Sequence, residues 1–205
     1  MPPSRPSALP ESELLPFIPE FEAPANYKDA EKIKVAIEAK KKDWLEDAAL
    51  DPMTGQVLCI GLLIGDKFRV LGDTSEAIIL HEFWETIHDA GDLLHPLIGF
   101  NIFAFDLPFL IRRSWKHGAT VPLGIRRGRY WGDQIIDLRS EWQLGDRQAP
   151  GSLDTIAKHL GVGAKIGNGK DFAALWEANK DQAISYLRND LELCGLIAKK
   201  LGVLK

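Results

Sequence analysis

The chain has 205 residues, 45% hydrophobic and 26% charged, which are values of a folded globular protein and exclude a fibre or a mainly disordered chain. With 25 basic and 29 acidic residues the net charge is −4, which excludes a passive nucleic-acid coat but not an enzyme that grips phosphate locally. No apolar run approaches the roughly 18 to 20 residues of a membrane span, the start Met1-Pro2-Pro3-Ser4-Arg5-Pro6 has no signal core, and Cys59 and Cys194 sit in apolar segments, so a single domain in the reducing cytoplasm is expected, with no membrane partner.

Residues 1–26 hold Pro2, Pro3, Pro6, Pro10, Pro16, Pro19 and Pro24, seven of the twelve prolines. Proline lacks an amide donor and has a fixed φ, so this stretch reads as an extended N-terminal arm, and the folded domain as 27–205. Tyr27, Ile33, Ile37, Trp44, Leu45 and Ala48 follow a helical period that stops before Pro52. The nearly continuous apolar run 56–64 predicts a strand covered on both faces. Gly65-Asp66 then marks a tight hairpin and 67–71 the return strand. A helix is predicted over 75–90, a short strand over 96–100, a helix over 107–116 and a short strand over 132–138 that ends in Asp137. Helices follow over 152–160, opened by a Ser152 cap, then over 172–176 and 180–201. Strands and helices in this order imply an α/β fold, a mixed sheet flanked by helices, with sites gathered at strand ends.

Two segments stand out. Asn101-Ile102-Phe103-Ala104-Phe105-Asp106 follows a strand directly and precedes a helix. Asp106 has a plain alternative role as a helix cap, yet Asn101 and Asp106 lie among Phe100, Phe103, Phe105 and Phe109. A polar pair among four rings must be hydrogen-bonded or metal-bound. In Tyr186-Leu187-Arg188-Asn189-Asp190 the spacing of four puts Tyr186 and Asp190 on one helix face. That face falls within the apolar arc of Leu187, Leu191, Cys194 and Ile197, where an unpaired carboxylate is costly. The alternative is an interfacial aspartate paired with an arginine. Two aspartates at the edge of a core suggest a shared divalent cation, magnesium or manganese, which prefers hard oxygen ligands.

The combination Asn101-x-x-x-Phe105-Asp106 and Tyr186-x-x-x-Asp190 resembles the second and third acidic motifs of the DEDD 3′–5′ exonucleases, in the branch with a tyrosine in the third motif; the histidine branch would have its histidine where Ser185 stands. The nearest group is the predicted exonucleases related to the proofreading domain of family B DNA polymerases. Pro24-Ala25-Asn26-Tyr27-Lys28-Asp29, Ala49-Leu50-Asp51-Pro52, Asp106-Leu107-Pro108-Phe109-Leu110 and Ser152-Leu153-Asp154-Thr155-Ile156-Ala157 match it too, over roughly 9–202. The resemblance implies an RNase H-like fold with a five-stranded mixed sheet, and two Mg²⁺ or Mn²⁺ ions held by four carboxylates. It implies stepwise hydrolysis from the 3′ end of a single-stranded nucleic acid, DNA favoured. Asp106 and Asp190 would be metal ligands, Tyr186 would position the attacking water, and Asn101 and Phe105 would serve the substrate side.

The chain departs from that pattern at the first motif, Asp-x-Glu at the end of the first, central strand. Pro6-Ser7-Ala8 stand there, with no apolar run before them. The first strand is therefore expected to be missing, leaving 56–64 and 96–100 with open edges. Two explanations fit: a strand encoded upstream of Met1, or a relative without catalysis that binds nucleic acid or docks a strand from a protein partner. Arg126-Arg127-Gly128-Arg129-Tyr130-Trp131 interleaves cations with rings and suits phosphate contact and base stacking. Arg112, Arg113 and Lys116 read as an exposed helix face. The loop 161–170, with Lys165 and Lys170 among four glycines, is not a P-loop but is placed to border a substrate groove. The histidines show no zinc spacing.

Overall fold

The computed structural model describes residues 4–89, 96–122 and 135–204. Their contacts gather into two compact units, one formed by 1–5 with 57–205 and the other by 6–56. The three arginines Arg126, Arg127 and Arg129 lie outside the described residues, as does the start of the strand predicted over 132–138.

In the unit 6–56 a short helix α1 (Glu11–Leu14) runs into a 3-10 turn at Leu15–Phe17, and a longer helix α2 spans Ala30–Ala48. Asp29 opens α2, its Oδ1 accepting from Glu31 N at 2.9 Å and Lys32 N at 3.2 Å, the side-chain capping that an orphan first turn needs. Lys40 Nζ donates to Glu22 O at 2.8 Å, and the Phe21 ring stands edge-on to Trp44 at 6.3 Å. After α2, Thr54 closes the turn by donating its Oγ1 to Ala48 O at 2.9 Å.

The expectation of an arm with no first strand is corrected. Ser4–Ala8 form strand β1, and the three-stranded ladder runs β1-β2-β3, with β2 at Gly55–Ile64 and β3 at Lys67–Gly72. β1 lies at the edge of this ladder, where Pro6 can sit with no amide donor to offer. That is why a proline-rich segment serves as a strand here. β2 is flanked on both sides and does not expose the open edge expected of it. β2 and β3 pair antiparallel from Cys59↔Gly72 to Ile64↔Lys67, and Gly65, at φ 57°, supplies the positive φ that the first central position of the hairpin requires.

The remaining elements alternate as expected: α3 (Glu76–Asp89), β4 (Leu97–Gly99), α4 (Asp106–His117) and β5 (Ile135–Asp137). β4 and β5 pair in parallel, Leu97↔Ile135 to Gly99↔Asp137, a pairing that needs a crossover such as the one containing α4. α5 (Leu138–Gln143), absent from the sequence reading, follows at once. Then come α6 (Leu153–His159), α7 (Phe172–Ala178) and the long α8 (Lys180–Lys200). Ser152 caps α6 reciprocally with Thr155. The result is a mixed α/β fold.

Among the described residues its core has three clusters. Ile60, Leu80, Phe83, Leu107 and Leu110 join the first ladder to α3 and α4. Leu138, Ile156, Cys194 and Ile197 join α5, α6 and α8. Cys59, Phe172, Trp176, Tyr186 and Leu187 join β2 to α7 and α8. Gly61 permits the last contact, because a Cβ there would sit 2.7 Å from Leu187 Cγ. Arg113 corrects the reading of an exposed helix face. Its side chain is 1% exposed and grips Glu76 with two bonds, Nε–Oε1 at 2.8 Å and Nη2–Oε2 at 2.6 Å. Glu76 Oε1 also accepts from Val57 N at 2.7 Å, and Oε2 meets His117 Nε2 at 2.7 Å. α3, β2 and α4 are thus tied at one carboxylate. Among the described residues, no helix is long and apolar enough to cross a membrane.

Candidate active site

Asp106 reaches the site because the chain between β4 and α4 is held open from beneath. Asn101 adopts φ 58°, a left-handed conformation that asparagine tolerates. Asp137, buried at the end of β5, receives the turn: its Oδ1 accepts from Asn101 N at 2.8 Å and Arg139 N at 2.9 Å, and its Oδ2 from Phe103 N at 3.0 Å. Asp137 is therefore the cap and turn anchor of this segment rather than a group facing substrate. Phe105 precedes α4, its ring 5.7 Å from that of Phe109.

Asp106 is the first residue of α4, and no side chain caps that helix. Its carboxylate instead accepts two bonds from Ser4, from the backbone N and from Oγ, each at 2.7 Å at Oδ1. Burial pushes its pKa up to about 6, and the Ser4 bonds only partly offset that. The dull capping role is thereby set aside.

Asp190 lies mid-way along α8 and is 2% exposed, and Tyr186, one turn earlier, is equally buried at 2%. Leu187, Leu191, Cys194 and Ile197 of the apolar arc are buried beside them and Ile184 is half-buried, while Arg188, Glu192 and Lys199 are exposed. Asp190 Oδ2 is paired by the Arg5 guanidinium and by Lys165 Nζ, the latter at 3.1 Å. Arg5 stacks over the rings of Phe172 at 5.1 Å and Tyr186 at 4.9 Å, and Lys165 Nζ lies 5.1 Å from the Tyr186 ring centre. Among the described residues, Asp190 Oδ1 and the Tyr186 hydroxyl are both buried with no hydrogen-bond partner. Orphaned polar atoms of this kind are uncommon in a folded interior.

Asn101, Phe105, Asp106 and Asp190 all line one cavity of about 290 Å³, together with Ser4, Arg5 and Lys165. Residues 106 and 190, far apart in the chain, therefore face a common space. Two of these contributors, Ser4 and Arg5, escaped the sequence reading. Ser4 and Arg5 lay in a segment read as an arm and carry no local signal. Lys165 had a signal in the glycine-rich loop. That loop is pinned by Lys165 N donating to Asp154 Oδ1 at 2.9 Å and Ile166 N donating to Asn189 Oδ1 at 3.2 Å. It runs so close to Tyr186 that a Cβ on Gly167 would sit 3.3 Å from the ring.

Residues 57–191 match the family model of a predicted 3′–5′ exonuclease related to the exonuclease domain of PolB. The chain belongs to this family. The match spans well over half the chain and takes in Asn101, Asp106, Lys165, Tyr186 and Asp190. The chain is also 30% identical over 160 residues to an uncharacterized protein of Methanocaldococcus jannaschii, covering 72% of this chain and 86% of that one.

Among the described residues no three of His, Cys, Asp and Glu gather as a metal-binding group. Asp106 and Asp190 share the cavity, and the buried, unpartnered Asp190 Oδ1 is a hard oxygen suited to magnesium or manganese. Two carboxylates carry −2, below the +4 of two ions, and Arg5 and Lys165 set +2 against it beside Asp190. Asp106 and Asp190 would hold one divalent ion once Arg5 and Lys165 turn from Asp190 to another anion such as substrate phosphate.

Proposed function

We propose that the protein is a divalent-cation-dependent 3′–5′ exonuclease acting on single-stranded 3′ ends, DNA ahead of RNA. The observation that carries this reading is the meeting of Asp106 and Asp190 at one cavity, with Asp190 Oδ1 and the hydroxyl of Tyr186, one helical turn before Asp190, buried and without a partner among the described residues. Asp106 and Asp190 would hold Mg²⁺ or Mn²⁺, which when bound stabilises negative charge developing at a phosphate. The Tyr186 hydroxyl, able both to donate and to accept, would orient the attacking water. Asn101 and Phe105 line the same wall and would border the terminal nucleotide. Arg126, Arg127 and Arg129, outside the described residues, would contact the strand's phosphates. The buried, unpaired thiols of Cys59 and Cys194 suit a reducing cytoplasm.

The test uses a single DNA strand labelled at its 5′ end. Magnesium or manganese should support progressive shortening from the 3′ end, and excess chelator, Asp190→Asn or Asp106→Asn should each stop it. Equal digestion in chelator, or by Asp190→Asn, refutes the reading.

A second reading, a nucleic-acid-binding relative without catalysis, is favoured by one observation: Arg5 and Lys165 already balance Asp190. It predicts salt-sensitive binding of a strand with no shortening in any divalent ion. A strand-docking module loses one of its two expected edges, since β2 is flanked by β1 and β3, while β4 pairs only β5 among the described residues.

A further inference from the structure

Two cations converge on one carboxylate oxygen at the wall of the cavity. Arg5 and Lys165 both pair with Asp190 Oδ2, so the immediate charge there is +2 against −1. The two cations differ in how they are held. The Arg5 guanidinium stacks over the rings of both Phe172 and Tyr186, and its side chain is 12% exposed. Lys165 has a fixed backbone, pinned through Asp154 and Asn189, but a side chain that is 21% exposed and ends in a single ammonium. An ammonium on a four-carbon stem can change partner without disturbing the backbone that carries it. Its surroundings are hard oxygens, an aromatic ring and a cavity of about 290 Å³, at the small end of ligand pockets. That space suits one nucleotide rather than a length of strand.

We propose that Lys165 is a phosphate-binding residue of this cavity, and that with Arg5 it holds the phosphate of a nucleoside 5′-monophosphate without any divalent ion, the phosphate replacing Asp190 as the partner of Lys165. The inference rests on the exonuclease reading for the choice of ligand, since a nucleoside monophosphate is what stepwise hydrolysis of a strand releases. It needs no catalysis. Asp190 and the phosphate compete for the same two cations. The substitution that should destroy hydrolysis, Asp190→Asn, should therefore strengthen binding of the mononucleotide in the absence of metal. That gain in Asp190→Asn together with a loss in Lys165→Gln is the pattern that a merely structural Lys165 would not produce.

The experiment is calorimetric titration of the full chain, in excess chelator, with thymidine 5′-monophosphate, thymidine and inorganic phosphate as separate ligands. The wild type should bind the monophosphate and not thymidine. Lys165→Gln should weaken binding at least tenfold, Lys165→Arg should retain it within a few-fold, and Asp190→Asn should tighten it several-fold. Unchanged affinity in Lys165→Gln, unchanged or weaker affinity in Asp190→Asn, or no binding by the wild type overturns the proposal. Inorganic phosphate binding as tightly as the monophosphate overturns the nucleotide assignment. Lys165 is on a partly exposed loop, and an unfolding curve for each variant checks that it is folded. Hydrolysis is assayed separately in magnesium. Monophosphate binding through Lys165 with no hydrolysis sinks the exonuclease reading alone, and hydrolysis with Lys165→Gln binding unchanged sinks this proposal alone.

Discussion

Replacing Arg113 by methionine should destabilise the protein by about 3 kcal/mol at pH 7, from the range of roughly 3–5 for a buried pair broken on one side. The Arg113 side chain is 1% exposed and that of Glu76 is 7%, so neither charge can be recovered by water. Without Arg113, Glu76 would keep only the Val57 N–H and His117 among these partners, which is why the lower end of the range applies. Methionine keeps much of the volume, so cavity formation adds little. The pH dependence has a definite sign. Burial alone would raise the Glu76 pKa, but hydrogen bonds from Arg113, Val57 and His117, with the arginine charge, hold it below its usual value of 4.5. A carboxyl depressed in the folded state stabilises above its unfolded pKa, and that contribution is lost as pH falls below about 4.5 through the folded value. The penalty of Arg113→Met should therefore shrink between pH 7 and pH 3. Urea unfolding at both pH values, with Glu76→Gln and the double variant, measures it, and the double should cost less than the sum of the singles. A change below about 1 kcal/mol at pH 7, or a penalty independent of pH, would refute the role assigned to the pair.

Gly61→Ala should lower stability by roughly 1–3 kcal/mol, since its methyl would lie 2.7 Å from Leu187 Cγ; the urea midpoint of Gly61→Ala, with and without Leu187→Val, reports whether relieving that contact restores part of the loss. Asp137→Asn leaves one carbonyl oxygen where two carboxylate oxygens serve Asn101, Arg139 and Phe103, so it should cost about 1–3 kcal/mol and lower nuclease activity by letting the turn before Asp106 shift. Thermal unfolding with the 3′-end assay checks it, and full activity in a destabilised variant would separate Asp137 from the positioning of Asp106. Burial pushes the thiols of Cys59 and Cys194 up to about 12, so neither should react with a disulfide reagent at pH 8 in the native protein, and both should react in guanidinium.

Periodicity carried most of the fold. The apolar run of β2, the alternation of β3 and the arc of α8 each report burial on known faces, and burial is a local property of sequence. β1 was illegible for the opposite reason. Its residues are proline-rich and form a strand because an edge position forgives a missing donor, which depends on its neighbours rather than on itself. Asp106, Tyr186 and Asp190 were legible because each is a polar residue where an apolar one is expected. Arg5 and Ser4 were not, since their partners lie 185 and 102 positions away and nothing in Ser4-Arg5-Pro6 marks them. Arg113 looked like a solvent-facing cation because the acid that buries it, Glu76, is 37 positions earlier on another helix. Long-range charge pairing decided each of these, and it leaves no trace in local composition.

The position of Asp190 makes the strongest argument for function that does not depend on family. Its neighbours along α8, Leu187, Leu191 and Cys194, are buried and apolar. A leucine at 190 would continue that stripe, and apolar replacements of buried ion pairs are often neutral or stabilising. The fold therefore has no need of a carboxylate there. Keeping it requires Arg5 from β1 and Lys165 from a loop pinned at two points, and still leaves Asp190 Oδ1 and the Tyr186 hydroxyl without partners. Each unsatisfied buried group costs roughly 1–3 kcal/mol. A chain that bears such a cost at one place, on the wall of a cavity shared with Asp106, holds those atoms ready for something that arrives from outside.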